Sequence, residues 1–153
     1  MKKSERISAF VAGLGGDASL ALDPCYQGYF RCFNEQQYYE AHDVLEHLWL
    51  QGRDEHHAFY KGLIQIAGGF VHLQKQFLRP EHPKDGRRLR PAVRLFGLGL
   101  ANLAPYRPIH LLLDLDAVHE LCTGLCESIA ASDFRRNPWR PESAPQLHLL
   151  PVT

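Results

Sequence analysis

His42 and Glu46 stand one helical turn apart in the stretch YYEAHDVLEHLW, residues 38–49. An imidazole and a carboxylate at i, i+4 can hydrogen-bond, exchange a proton, or offer two ligands to one ion. At about 100° per residue, with His42 at zero, Tyr38, Ala41, Leu45, Leu48 and Trp49 fall within roughly 120° on one side. Glu46 and Tyr39 fall roughly 40 to 60° on the other, so His42 lies inside the core-facing arc. Glu40, Val44, His47 and Gln51 point the opposite way. HDVLEH superficially matches the zinc motif HExxH, whose two histidines must be four apart to share a face. Here the fourth position is Glu46 and the next histidine is five away, so the metalloprotease pattern fails on spacing.

The following stretch, DEHHAFYKGLIQIAGGFVHLQKQF, places Gln65 and His72 at i, i+7 among Gly62, Gly68 and Gly69. Glycines inside a helix cost roughly 1 kcal/mol each, which makes sense where a second helix must pack close. This predicts a central helix whose Gln65 and His72 meet His42 and Glu46 in a buried interhelical polar cluster. Fully satisfied, such a cluster fixes helix register in a non-catalytic binding or interaction module, its partner a small molecule, a protein or a second copy of the chain. Tyr38, Tyr39, Trp49 and Tyr60 are the residues that would line its pocket. The alternative is a small metal-dependent, hydrolase-like enzyme in which His42, Glu46 and His72 bind a divalent metal such as zinc, with water completing the shell. No serine, cysteine or threonine nucleophile is paired with the cluster, and it lacks the repeated carboxylates of a di-iron bundle.

Positioning these side chains falls to an all-α, compact bundle of about five helices in a single domain, residues 1–153. Residues 1–23 form an N-terminal arm or short helix ending at Gly15-Gly16, 24–132 the bundle, and 133–153 an extended proline-rich C-terminal tail. Pro24 opens a short helix with Cys25, Tyr29, Cys32 and Phe33 on one side. Asn34 is expected to cap the next, with Gln37 completing a capping box. Longer helices follow over about Asp54 to Leu78, Arg87 to Leu103 and Asp114 to Ser132. Chains of this size bury roughly two-thirds of their unfolded surface, so stability requires no cofactor.

Lysine plus arginine and aspartate plus glutamate both number 17, so no global field draws the chain to nucleic acid or membrane. The most basic stretch holds Arg79, Lys84, Arg87, Arg88, Arg90 and Arg94 against Glu81 and Asp85, a third candidate site, for nucleic acid or phosphate. The spacing of Cys25 with Cys32 and Cys122 with Cys126 suits small buried hydrophobes in a reducing cytoplasm better than a zinc ribbon. Ser4, Glu5 and Arg6 interrupt the short apolar start, which argues against a secretory leader. The remaining histidines, 56, 57, 82, 110, 119 and 148, are scattered and carry no joint assignment.

The segment FNEQQYYEAHDVLEHLW followed by FYKGLIQIAGGFVHLQK resembles the bacterial and archaeal helical proteins grouped as domain of unknown function 309. The distinctive residues are Tyr39, Glu40, Ala41, His42, Asp43, Leu45, Glu46 and Trp49, then Gln65 and His72. The resemblance implies a compact helical fold and singles out the same polar side chains, without supplying an activity. Where that family continues with a Gly-Asn and Gly-Ala turn, this chain has KQFLRPEHPKDGRRLRPAVRLF.

Overall fold

The computed structural model describes residues 2–17 and 20–152. Its helices are α1 (Lys3–Leu14), α2 (Pro24–Asn34), α3 (Tyr38–Trp49), α4 (His57–Leu78), α5 (Leu89–Leu103) and α6 (Leu115–Ala131). A minimal antiparallel hairpin, β1 (Ile109–His110) and β2 (Leu113–Asp114), joins α5 to α6, with Ile109 opposite Asp114. The fold is otherwise all-α.

Helix α2 begins where its sequence dictates. Pro24 occupies a first-turn position that needs no N–H, and the Asp23 carboxylate accepts from the Cys25 amide at 2.7 Å. Asn34 is not the cap expected for α3. It is the last residue of α2, and its amide side chain instead accepts from Leu147 N at 2.7 Å and donates to Leu147 O at 2.9 Å. The chain turns through Gln36 at φ 62°, and α3 starts after Gln37 without a side-chain cap. A remote backbone partner has displaced a local one that spacing alone suggested.

Helix α4 is central, as its glycines imply. Phe59, Leu63, Ile66, Ala67, Phe70 and Leu73 are fully buried. On its α5 side, a Cβ at Gly62 would lie 2.9 Å from the Gly99 carbonyl oxygen, and one at Gly99 would lie 2.9 Å from that of Gly62. The two backbones therefore touch at a point where neither helix carries a side chain. One turn away the Phe96 ring fills the space over Gly69. On its other side α4 runs antiparallel to α3: Tyr38 stacks on Phe70 at 5.3 Å and Trp49 on His57 at 4.8 Å.

Helix α1 covers the side of α3 that the sequence had turned to solvent. Ile7, Phe10 and Val44 share a cavity of about 270 Å³, Val44 is fully buried, and Lys3 Nζ lies 3.8 Å from Asp43 and 3.6 Å from Glu46. Beyond α6 the chain reverses through Asp133 and Phe134, both at positive φ, and residues 135–150 run along the bundle without regular structure apart from a 3-10 turn at Pro141–Ser143. That segment is pinned by Asn137 Nδ2 to Leu73 O (2.8 Å), Trp139 Nε1 to Tyr38 Oη (3.0 Å) and Leu150 N to Leu112 O (2.7 Å).

The four cysteines are free thiols, three of them buried. Burial pushes Cys25 up to about 11 and Cys32 to about 12, so both behave as hydrophobes rather than thiolates. Among the described residues, no helix is long and apolar enough to cross a membrane.

Candidate functional site

Helix α3 holds His42 and Glu46 at the rim of the core, each side chain about 30% exposed, rather than inside it. His42 Nδ1 lies 3.1 Å from Asp43 Oδ1, and Nε2 lies 3.7 Å from Glu46 Oε2, beyond hydrogen-bonding reach. The exposed Tyr39 ring stacks on the imidazole at 6.1 Å. His47 faces away, toward Ser8 Oγ at 3.5 Å and Gln51 Nε2 at 3.0 Å, as the helical angles require.

The stacked pairs at the two ends of α3 fix an antiparallel register with α4. His42 is level with Gln65, and Glu46 with Lys61. His72 is seven residues further along α4, about 10.5 Å of rise. The expected four-residue cluster therefore does not assemble, because i, i+7 shares a face but not a level. Gln65 Oε1 instead accepts from Asn102 Nδ2 of α5 at 2.7 Å. His72 Nδ1 accepts from Arg88 Nη1 at 3.0 Å. Burial, then the Arg88 and Lys75 charges, hold the His72 imidazole below its ordinary value.

Among the described residues, His42, Glu46 and His72 are not brought together as one ligand set. A guanidinium occupies the lone pair His72 would offer to a metal and places a positive charge beside it. Among the described residues, no group of three or more histidine, cysteine, aspartate or glutamate side chains is arranged to hold an ion.

The aromatic residues expected in one pocket are also dispersed. Tyr38 is in the core under Trp139, and Tyr60 is buried beside Tyr26 and His56. Trp49 continues the ridge that Tyr39, His42 and Glu46 form along α3, its ring stacked on that of His57 and its centroid 4.5 Å from Lys61 Nζ. Trp49 Nε1 is buried with no hydrogen-bond partner among the described residues.

The basic stretch is partly self-neutralised. Asp85, only 8% exposed, accepts from Arg88 Nε at 2.9 Å and from Arg79 Nη1 at 3.0 Å. The Arg88 hydrogen bonds hold its carboxyl below the usual range. The turn between α4 and α5 is thus built on a buried aspartate with two arginines, and those two are withdrawn from any anion. Arg87, Arg90 and Arg94 stay exposed.

Sequence reading missed one pair altogether. His56 Nδ1 lies 2.8 Å from His110 Nε2, which joins the start of α4 to the β-hairpin. His110 packs edge-on to Phe59 at 4.6 Å, and burial with the His56 charge holds its imidazole low. The two histidines are 54 residues apart in sequence, and no local spacing signals their meeting.

A family model described as a domain of unknown function, DUF309, matches residues 26–80, and over this span the chain resembles that family. The matched span carries most of α2, all of α3 and α4, and every residue of the His42 ridge. No curated protein and no solved structure matches.

Proposed function

We propose that this protein is a non-catalytic binding module that engages a protein partner through the ridge formed by Tyr39, His42, Glu46 and Trp49. The observation that carries this reading is the distribution of the polar side chains. Each is occupied by a near neighbour, His42 by Asp43, Gln65 by Asn102 and His72 by Arg88, instead of converging on one reacting position. What the ridge offers outward is apolar surface at its two ends: Tyr39 is 58% exposed and Leu50, next to Trp49, 69%. Tyrosine and tryptophan supply large contact areas at low entropic cost and dominate binding hot spots.

Two measurements test the reading. A photoreactive phenylalanine derivative at Tyr39 should give one discrete adduct in cell extract, weakened by Trp49→Ala and absent when the label replaces exposed Glu120 on α6. Elemental analysis of untagged protein should show no stoichiometric metal. Identical adducts from both positions, or one equivalent of metal lost in His42→Ala, would overturn the proposal.

A further inference from the structure

The tail sequence FRRNPWRP brings Arg135, Arg136 and Arg140 to the rim of a cavity of about 960 Å³, between the C-terminal ends of α4 and α6. Its wall includes Trp139, Phe77 and Ser128, and no aspartate or glutamate lines it. Among the described residues these arginines make one ion pair, Arg135 with Asp133 at 3.9 Å, which joins two side chains more than 80% exposed and holds little. Among the described residues, Arg136 and Arg140 have no carboxylate partner. A neighbouring cavity of about 320 Å³ shares Gln76 and adds Arg87 and Arg90, the latter 4.2 Å over the Phe134 ring.

The backbone carrying these charges is fixed before any ligand arrives. The Arg135 and Arg136 amides donate to Ser132 Oγ at 3.2 and 3.0 Å, and the Trp139 amide to Asn137 Oδ1 at 2.9 Å. Only side chains need ordering on binding. Neutralising the end of α6 does not explain three cations. A helix terminus carries roughly half a charge, and the last carbonyls already receive the amides of Ser132, Asp133 and Phe134.

We infer that this groove is a binding site for a small organic phosphate, its phosphoryl group held by Arg136 and Arg140 and its organic body against Pro80 and the exposed part of Phe77. Guanidinium forks match phosphate oxygens two at a time, which lysine cannot do. The volume lies within the range of about 300–1,000 Å³ typical of small-molecule sites. Single-stranded nucleic acid is disfavoured because Trp139 is 3% exposed and packs against Phe77 at 5.5 Å. The partly exposed Phe77 alone cannot stack successive bases. The site is built from α4, α6 and the tail, and does not depend on the ridge of α3.

Trp139 is one of two tryptophans, so its emission can be read alone in Trp49→Phe protein. Titration with ADP and with a sugar phosphate should give a saturable change for at least one, with a dissociation constant below about 1 mM. Inorganic phosphate should bind more weakly. Arg136→Gln/Arg140→Gln should weaken binding about tenfold or more without moving the unfolding midpoint, and Arg136→Lys/Arg140→Lys should fall between. No saturable response to either organic phosphate, or equal affinity in the double glutamine variant, would overturn the assignment. So would phosphate binding as tightly as the organic ligands, or a salt-dependent response to single-stranded RNA alone. Adduct formation at Tyr39 should be unchanged in the glutamine variant, which keeps failure here distinct from failure of the ridge.

Discussion

Replacing Gly99 by alanine should loosen the α4–α5 interface, whereas the same change at Gly97, two residues earlier in α5, should tighten the protein. In both cases alanine favours the helix by about 0.5–1 kcal/mol, because glycine loses more backbone freedom on folding. The surroundings then decide the sign. A Cβ at Gly97 meets nothing within 4 Å. A Cβ at Gly99 would sit 2.7 Å from Ile66 Cδ1 and 2.9 Å from the Gly62 carbonyl oxygen. Ile66 is fully buried and has little room to swing aside. The carbonyl belongs to the backbone of α4 and moves only with the helix. Forcing a methyl into such a contact costs about 1–3 kcal/mol. Gly99→Ala should therefore be neutral to about 2 kcal/mol destabilised, and Gly97→Ala stabilised by about 0.5–1 kcal/mol. Urea titration by circular dichroism measures both, and each kcal/mol should appear as about 2–4 °C in a thermal scan. Gly99→Ala as stable as Gly97→Ala would refute the backbone contact as the reason for these glycines.

Acid should destabilise the fold through His72 and His110. Both imidazoles are held below their ordinary value, chiefly by burial, with Arg88 and Lys75 adding to the effect on His72, and His56 adding but Glu55 opposing on His110. The unfolded chain then takes up protons first, so this stability is present above about pH 6.5 and lost as pH falls below it. Urea midpoints either side of that value should differ less in His72→Gln/His110→Gln than in the parent, and an unchanged difference would contradict the assignment. Asn34→Ala removes both side-chain bonds to Leu147 and should release the tail. Trypsin should then cut faster after Arg135 and Arg136, and cleavage at the parental rate would show that Asn34 is not the tether.

What local spacing could determine, it determined well: the turn of His47 away from His42 and the need for close packing at the glycines of α4. What required the register between helices was out of reach. Gln65 and His72 share a helical face, but whether either meets His42 depends on their level against α3, set by the packing of Tyr38 on Phe70 and Trp49 on His57. Asn34 has the right type and spacing to cap α3, yet is claimed by Leu147 from the far end of the chain. The His56–His110 pair and the arginine groove are products of tertiary folding. A signal for the groove did exist, in three arginines within six residues and no acid among them, in a segment read only for its prolines.

The long reach of the tail also orders events during synthesis. Helices α3, α4 and α5 meet their neighbours across short connections and can pack as soon as they emerge. Trp139 must instead find Tyr38 across 101 residues, and Leu147 must find Asn34 across 113. Contacts of such separation are made late, because the chain entropy they cost falls due before their reward. A nascent chain thus carries the α3 ridge before it carries the groove, and a ligand recognised by the groove would select molecules whose tail has docked over those whose tail has not. By mass action, that ligand would also latch the tail in place.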